Sequence, residues 1–148
     1  MYKKILIATD GSALAHKAVE QGLSLAKEIG ATVIAVHVKE PFSFPILEDG
    51  AFFAGKALEA YDKDCHINTE RILHKVKEDA EQLGVQCITV YVDHIEAPSQ
   101  GIIETAKKEH CDLIVMSSHG HHGIQGLLLG SQAVDVLTHS HIPVLVCR

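Results

Sequence analysis

The feature that most constrains this chain is a glycine-rich stretch between an apolar run and an amphipathic segment near the carboxyl end. Leu113 to Met116 predicts a buried strand, glycines follow at positions 120, 123, 126 and 130, and Val134, Val136 and Leu137 have helical spacing. We predict Ser131 as the N-cap of that helix, because its hydroxyl can accept from free N–H groups of the first turn. A strand, a glycine loop and a helix N-terminus are a typical setting for a phosphate, since several N–H groups can converge on one anion.

Glycine loops at strand–helix junctions can also serve the turn alone, so anion binding and a purely structural turn both stay open at this point. The Walker pattern is excluded because no Gly-Lys-Ser/Thr follows the loop. The dinucleotide fingerprint of Rossmann folds is excluded because the stretch lies late in the chain, not in the first strand–helix turn.

Strand and helix signals alternate along the whole chain. Helices are predicted from Gly11 or Ser12 to Gly30, over Ala57 to Leu83, over Ser99 to His110 and from about Ser131 to His139. The other strands are predicted at Lys3 to Thr9, Thr32 to Val38, Val85 to Val92 and from Pro143 onward. Repeated strand–helix–strand units imply parallel strands with helices on both faces. We therefore predict one α/β domain over residues 1–148, with a ligand site outside the carboxyl ends of the strands.

Residues 39 to 56 are predicted to be irregular, because two prolines and two glycines interrupt any periodic pattern there. Loops of this length often act as lids over a site. The four phenylalanines in or beside this stretch either pack it onto the body or shield a ligand or subunit interface; they are Phe42, Phe44, Phe52 and Phe53.

Composition and charge exclude several classes of protein. The chain has 148 residues, of which 47% are hydrophobic and 22% charged, as in a globular domain. Its net charge of −6 argues against general binding to nucleic acid or to an anionic membrane surface. No apolar run approaches the roughly 20 residues that cross a bilayer, and Asp10 interrupts the first run, so we expect a cytoplasmic protein. The cysteines are scattered without a C-x-x-C motif, and we expect buried, reduced thiols at Cys65, Cys87, Cys111 and Cys147.

Three motifs in order resemble the universal stress protein family. Ser117-Ser118-His119-Gly120, then nine residues, then Gly130-Ser131 is similar to the family signature Gly-x-x-Gly, nine residues, Gly-Ser/Thr. Ile5 to Ser12 and Pro143 to Val146 extend the resemblance to essentially the whole chain. Ser117 stands where the signature has its first glycine, and a positive φ there would strain a serine. The resemblance implies a Rossmann-like, adenine nucleotide alpha hydrolase-like fold, an open five-stranded parallel sheet of order 3-2-1-4-5.

The resemblance to the ATP-binding branch also implies a site at the carboxyl ends of strands 1, 2 and 4. The main chain of Val38 would lie against adenine, Asp10 would meet ribose or a bound metal, and the glycine loop would surround the phosphates. From the residues alone, Asp10 can equally be a helix-start residue, since helix N-termini favour acidic groups. The implied nucleotide-binding residues are Ala8, Thr9, Asp10, Val38, Met116, Ser117, His119, Gly120, Gly130, Ser131, Gln132 and Ala133.

No catalytic residue and no protein metal site are predicted. Ser131 has no activating base nearby in sequence, which nucleophilic catalysis would need. His119, His121 and His122 have no carboxylate or cysteine within the loop to complete a metal shell. We expect these histidines to line the phosphates or face solvent, with stronger anion binding in mild acid because imidazolium attracts phosphate.

The function implied by the resemblance is a stress-response regulatory protein that binds ATP, with or without Mg²⁺ or Mn²⁺, and does not turn it over quickly. A nucleotide-free interaction module of the same fold and a slow ATPase are the alternatives. The family also implies a homodimer formed through the last strand, where an unpaired apolar edge would be a liability. The sequence indicates no particular protein partner.

Overall fold

The computed structural model describes residues 1–41, 51–93, 95–121 and 128–148, with the backbone alone for residues 51–54. Strands and helices alternate along these ranges as predicted. The strands are β1 (Lys4–Ala8), β2 (Thr32–Val38), β3 (Cys87–Val92), β4 (Leu113–Ser117) and β5 (Val144–Cys147). The helices are α1 (Ala13–Ile29), α2 (Ala51–Leu83), α3 (Pro98–Lys108) and α4 (Ser131–His139).

The five strands form one parallel sheet of order β3-β2-β1-β4-β5. Pairing of β1 with β2 ends at Ala8 opposite Val36, and pairing of β4 with β5 ends at Ser117 opposite Cys147. From β1 the chain first builds outward to β2 and β3, then returns to place β4 on the other side. The strand order therefore reverses between β1 and β4, and the predicted fold class and order are confirmed.

The core consists of two apolar layers, one on each face of the sheet. Helices α1 and α2 pack on one face, through residues such as Val19, Leu23 and Val76. Helices α3 and α4 pack on the other, through residues such as Ile102 and Val136. Coverage on both faces explains why the strands are apolar without alternation. In the described ranges, no helix combines the length and apolarity that a bilayer crossing requires.

The helix boundaries follow local sequence signals. The Ser12 hydroxyl accepts from the Ala15 N–H at 3.2 Å and caps α1. Gly30 ends α1 with φ 68°, and Gly84 follows α2 with φ 71°, conformations that favour glycine. Pro98 lies in the first turn of α3, where its missing N–H costs no helical hydrogen bond.

The prediction of an irregular stretch up to residue 56 is wrong in its second part, because α2 begins at Ala51 instead of Ala57. Gly55 lies inside this helix on its exposed side, with open space where a Cβ would be. A glycine there costs only about 1 kcal/mol relative to alanine, which good helix formers around it can offset. Phe42 and Phe44 lie outside the described residues, as do the side chains of Phe52 and Phe53. Both interpretations of these phenylalanines, packing onto the body and shielding a ligand or subunit interface, therefore stay predictions.

Two further boundaries differ from the prediction because backbone hydrogen bonds decide them. Gly130, not Ser131, is the N-cap of α4; its N–H donates to the Ser118 carbonyl at 2.7 Å, which holds it in an extended conformation. Val85 does not open β3, because its N–H donates to the Ala80 carbonyl at 2.9 Å and closes α2.

A candidate ligand cleft at the carboxyl edge of the sheet

A cavity of about 410 Å³ opens at the carboxyl ends of β1, β2 and β4. Every residue that the resemblance assigned to a nucleotide lines this cleft. The cleft is also lined by His121, which was expected to line the phosphates or face solvent, and by residues that were not assigned from the sequence: Val36, Glu40, Pro41, Pro98, Ile102 and Ser118. The alternation of side chains along a strand and the order of the elements could have predicted some of these additional residues. Val36 shares the face of Val38 in β2, and the start of α3 must return to this edge.

One end of the cleft is apolar. Ala8, Val36, Val38 and Met116 belong to the same apolar layer beneath α3. Helix α3 approaches closely because Gly101 has no side chain; a Cβ there would lie 2.9 Å from Val38 Cγ1.

The main chain of Val38 faces the cleft rather than a neighbouring strand. The Val36 carbonyl accepts from Thr9 on the β1 side, and the Lys39 N–H donates to Val92 on the β3 side. Alternation along a parallel strand turns the N–H and carbonyl of Val38 back to the β1 side. Since β1 pairing ends at Val36, these two groups face the space beyond the end of β1.

Asp10 joins the first loop of the chain to the glycine loop. Its Oδ1 accepts from the Ser12 N–H at 2.9 Å, and its Oδ2 accepts from the His121 N–H at 2.8 Å. The His121 ring returns the contact, with Nε2 2.8 Å from the Asp10 carbonyl. We call these contacts between Asp10 and His121 the clasp. Asp10 is thus more than a helix-start residue, because it also holds His121, which follows Gly120 of the signature.

The clasp keeps the Asp10 carboxylate ionised. Burial by itself raises the pKa of this carboxyl, but hydrogen bonds from Ser12 and His121 outweigh burial and hold the pKa below its ordinary value. The cleft therefore contains a fixed negative charge at neutral pH.

At the signature positions Gly120 and Gly130, glycine is favoured because there is no space for a Cβ, and not because the backbone has a positive φ. Ser117 is the last residue of β4, and its hydroxyl donates to the His119 carbonyl at 2.7 Å. The only non-glycine residue with positive φ in the described ranges is His110, so Ser117 is not strained as the sequence alone suggested. Gly120 is needed for space, because a Cβ there would lie 2.3 Å from Asp10 Oδ2. At Gly130 a Cβ would lie 3.0 Å from the Ser118 carbonyl oxygen.

Helices α1, α3 and α4 follow β1, β3 and β4, and they differ in which groups accept hydrogen bonds from the N–H groups of their first turns. Ser12 caps α1. The Gln132 side chain accepts from the Ser99 N–H at 2.7 Å, so it supports the start of α3 instead of facing a ligand. Among the described residues no side chain caps α4. The N–H groups of its first turn, at Ser131, Gln132 and Ala133, lack helical acceptors and border the cleft.

His119 lines the cleft. Its Nδ1 is 3.2 Å from the Ser118 hydroxyl, while its buried Nε2 has no partner within the part of the chain that the structure describes. His122 lies outside the described residues. No group of three His, Cys, Asp or Glu side chains suited to a metal occurs in the described ranges.

The cysteines lie apart from the cleft and are free thiols. Cys111 and Cys147 are buried as expected, and burial raises the pKa of Cys111 to about 11. Cys65 and Cys87 are only half-buried, so the expectation of burial is wrong for these two.

The family model of universal stress proteins matches residues 1–148 of this chain. The chain belongs to the universal stress protein family. A curated member, universal stress protein MJ0531 of Methanocaldococcus jannaschii, is 36% identical over 148 residues, which cover all of this chain and 83% of the relative.

Solved structures of family members share the fold. That of MJ0577 from the same organism aligns with a TM-score of 0.81 at 28% identity, covering 99% of this chain and 96% of the other. A universal stress protein in complex with cAMP aligns at 0.71 and 23% identity, covering 99% and 97%. One from Archaeoglobus fulgidus in complex with dAMP aligns at 0.70 and 20% identity, covering 99% and 98%. At these lower identities the two complexes show the fold alone.

Proposed function

We propose that this universal stress protein binds an adenine nucleotide in the cleft, including ATP as its Mg²⁺ or Mn²⁺ complex, and acts as a stress-response regulator in the cytoplasm. The observation that carries the proposal is the convergence, in one cavity, of an apolar pocket at Val38 and the uncapped first turn of α4. The solved complexes with cAMP and dAMP support the ligand class, because both ligands contain adenine, a pentose and one phosphate.

The apolar end of the cleft fits an adenine ring. Ala8, Val36, Met116 and Ile102 supply apolar surface on which the base can pack. The N–H and carbonyl of Val38 would give the base edge one donor and one acceptor, which suits the ring nitrogen and amino group of adenine. We propose that this main chain recognises the base.

The opposite end fits a phosphate. The first-turn N–H groups of α4 point toward the cleft, and helix N-termini favour anions through both hydrogen bonds and the helix dipole. Gly130 leaves the backbone accessible beside them, and the Ser131 hydroxyl adds a donor. The cleft of about 410 Å³ falls in the range of roughly 300–1,000 Å³ usual for small-molecule sites.

Binding without rapid hydrolysis fits the polar groups of the cleft better than catalysis. Both oxygens of Asp10 already accept backbone N–H groups, so this carboxylate is poorly placed to take a proton from an attacking water. His119 contacts Ser118 through one ring nitrogen, and the other is buried. A divalent cation bound with the nucleotide would neutralise part of the negative charge of the phosphates. We therefore place regulation by binding ahead of slow ATP hydrolysis.

The first test is to identify small molecules released on denaturing freshly purified protein, followed by titration calorimetry with ATP–Mg²⁺ and AMP. We expect the Gly130→Val variant to lose binding at least about tenfold, roughly 1.4 kcal/mol, because its side chain meets the Ser118 carbonyl and covers the first turn of α4. Gly55→Val is the matched control, since a Cβ at Gly55 has open space around it.

Retained binding in Gly130→Val would remove the glycine loop from the proposed site. No released ligand, and no heat with any adenylate, would favour the nucleotide-free interaction module instead. Phosphate release at more than a trace rate would favour the ATPase.

A further inference from the structure

The ladder of hydrogen bonds between β1 and β2 stops one bond short of a regular end. The Thr32 N–H donates to the Lys3 carbonyl at 2.9 Å, and the register then continues along both strands as far as Val36. The Thr9 N–H donates to the Val36 carbonyl at 3.0 Å. In a regular parallel ladder the next bond would run from the Val38 N–H to the Thr9 carbonyl. The register ends before that bond.

The Thr9 carbonyl is bonded to a side chain instead. His37 Nδ1 lies 2.9 Å from this oxygen. A carbonyl oxygen can only accept, so Nδ1 carries the hydrogen and the imidazole is the donor. Alternation along β2 places the His37 side chain on the face of the sheet covered by α2. The bond therefore directs the Thr9 carbonyl toward that face and out of line with the Val38 N–H.

The imidazole is held by a neighbouring ring. Tyr91 lies opposite His37 in the register of β2 with β3, and the two rings stack with centroids 6.5 Å apart and planes inclined by 12°. The ring of His66, from α2, contacts Tyr91 edge-on at 6.5 Å. The loop after β1 has its own support, since the Gly11 N–H donates to the Thr9 hydroxyl at 3.2 Å. His37 thus fixes the direction of one carbonyl rather than the course of the whole loop.

We infer that His37 is a positioning residue for the cleft: by bonding the Thr9 carbonyl, it keeps the Val38 N–H free to donate to a ligand. The inference rests on the proposed function, in which this N–H recognises the edge of adenine. His37 lies on the face of the sheet opposite to the apolar pocket, so it acts through Thr9 and Val38 and does not touch the ligand. A buried N–H without its ladder partner is unfavourable, so a ligand acceptor that pairs with it contributes to affinity.

The first experiment needs no ligand. Amide hydrogen exchange of the ligand-free full chain, followed residue by residue by NMR, compares Val38 with Val36, which lies within the paired register. We expect the Val38 amide to exchange at least about a hundredfold faster than the Val36 amide. His37→Leu removes the donor and leaves the Thr9 carbonyl to the Val38 N–H. In that variant the two amides should exchange within about tenfold of each other.

The second experiment is calorimetric titration with AMP, together with urea unfolding of each variant. His37→Leu should weaken AMP binding at least about tenfold without loss of stability, because leucine suits the apolar layer under α2. His37→Asn should bind AMP within about threefold of wild type, because its side-chain amide offers a donor close to the position of Nδ1. Asparagine is a poor strand residue, so this variant should be the less stable of the two.

Affinity and stability should therefore change in opposite directions in the two variants, whereas a merely structural role would make them fall together. His139→Leu is the matched control. His139 also places its Nδ1 2.9 Å from a backbone carbonyl, that of Asp135, but at the end of α4 remote from the cleft. This substitution should leave AMP affinity unchanged.

The outcomes separate the two proposals. If Val38 exchanges as slowly as Val36 in wild type, or if His37→Leu binds AMP as tightly as wild type, the role of His37 is wrong while nucleotide binding stands. Equal weakening by His37→Leu and His139→Leu would also contradict it. If wild type binds no adenylate, the proposed function is wrong, and the exchange of Val38 still decides whether His37 keeps this N–H free.

Discussion

Asp10 and Gly120 are adapted to each other. The carboxylate reaches the His121 N–H at 2.8 Å only because Gly120 has no Cβ, which would lie 2.3 Å from Oδ2. Gly120 does not have a positive φ. Its need for glycine is therefore one of space, and it comes from a residue far away in sequence.

We predict that Asp10→Asn weakens both AMP binding and the fold. Asparagine keeps only one of the two carboxylate oxygens, whereas the Ser12 and His121 N–H groups reach different oxygens. One hydrogen bond is therefore lost and a donor faces a donor, at a cost of about 1–3 kcal/mol of unfolding free energy. Urea unfolding and AMP titration measure the two effects. Asp112→Asn is the matched control: Asp112 also accepts two N–H groups, from Lys3 and Lys4, but at the opposite end of the sheet. It should lower stability and leave AMP affinity unchanged.

The pH dependence of the stability of Asp10→Asn should show how much the negative charge of Asp10 contributes to the fold. Because the native pKa of Asp10 lies below its ordinary value, the carboxylate's contribution is fully present above about pH 4 and is lost as pH falls through the native pKa. The stability difference between wild type and Asp10→Asn should therefore shrink on acidification. A constant difference from neutral pH to about pH 2 would show that Asp10 acts without its charge.

At the scale of the elements, helix α2 has one glycine within it, Gly55, and one directly after it, Gly84, whose surroundings are similar but whose backbone conformations differ. Neither Gly55 nor Gly84 has an atom within 4 Å of a Cβ position. They differ in conformation, since Gly55 is helical within α2 and Gly84 ends that helix with φ 71°. Space is equal at the two positions, so substitution isolates the effect of the backbone.

We predict that Gly84→Ala lowers the free energy of unfolding by about 1 kcal/mol, because a side chain is disfavoured in the left-handed region. Gly55→Ala should not lower it, since alanine is the better helix former. Denaturant midpoints of both variants provide the test. An equal loss in both would mean that α2 depends on something other than backbone conformation.

At the scale of the whole molecule, the sheet has two outer strands that expose apolar side chains. Leu145 of β5 is 40% exposed, and Val134 and Leu137 of α4, which covers the other face of the sheet, are 45% and 43% exposed. At the other edge, Ile88 of β3 is 47% exposed. The β5 edge thus has a broader apolar surface, and we propose that two copies pair there across a two-fold axis.

We predict that Leu145→Lys converts the dimer to a monomer, because a charge would be buried at the centre of the paired edge. Ile88→Lys at the β3 edge is the matched control and should leave the dimer intact. Sedimentation equilibrium at micromolar concentration measures both. Monomeric wild-type protein, or dissociation by Ile88→Lys alone, would contradict pairing through β5.

By itself the sequence determined the parallel α/β fold, the strand order through family resemblance, and most helix ends. These follow from local signals: apolar runs too short for helices, Ser12 before α1, and glycines at residues 30 and 84 that favour positive φ. The signature also led to the residues of the cleft, since strand ends of a parallel sheet gather at one edge. Local signals failed at Gly55, where an exposed helix tolerated a residue that usually marks a break.

The tertiary structure alone decided how those residues are used. The clasp joins Asp10 to His121, and Gln132 supports α3 through Ser99; no pattern in the sequence reports contacts over such separations. Ser117 replaces a glycine without strain because β4 holds it in a strand conformation. Gly130, and not the predicted Ser131, is the N-cap of α4, because the Gly130 N–H donates to the Ser118 carbonyl. Short-range sequence patterns determine where the helices and strands form. The hydrogen-bond partner of each of these polar groups is determined by contacts between residues that are far apart in sequence, which only the folded chain brings together.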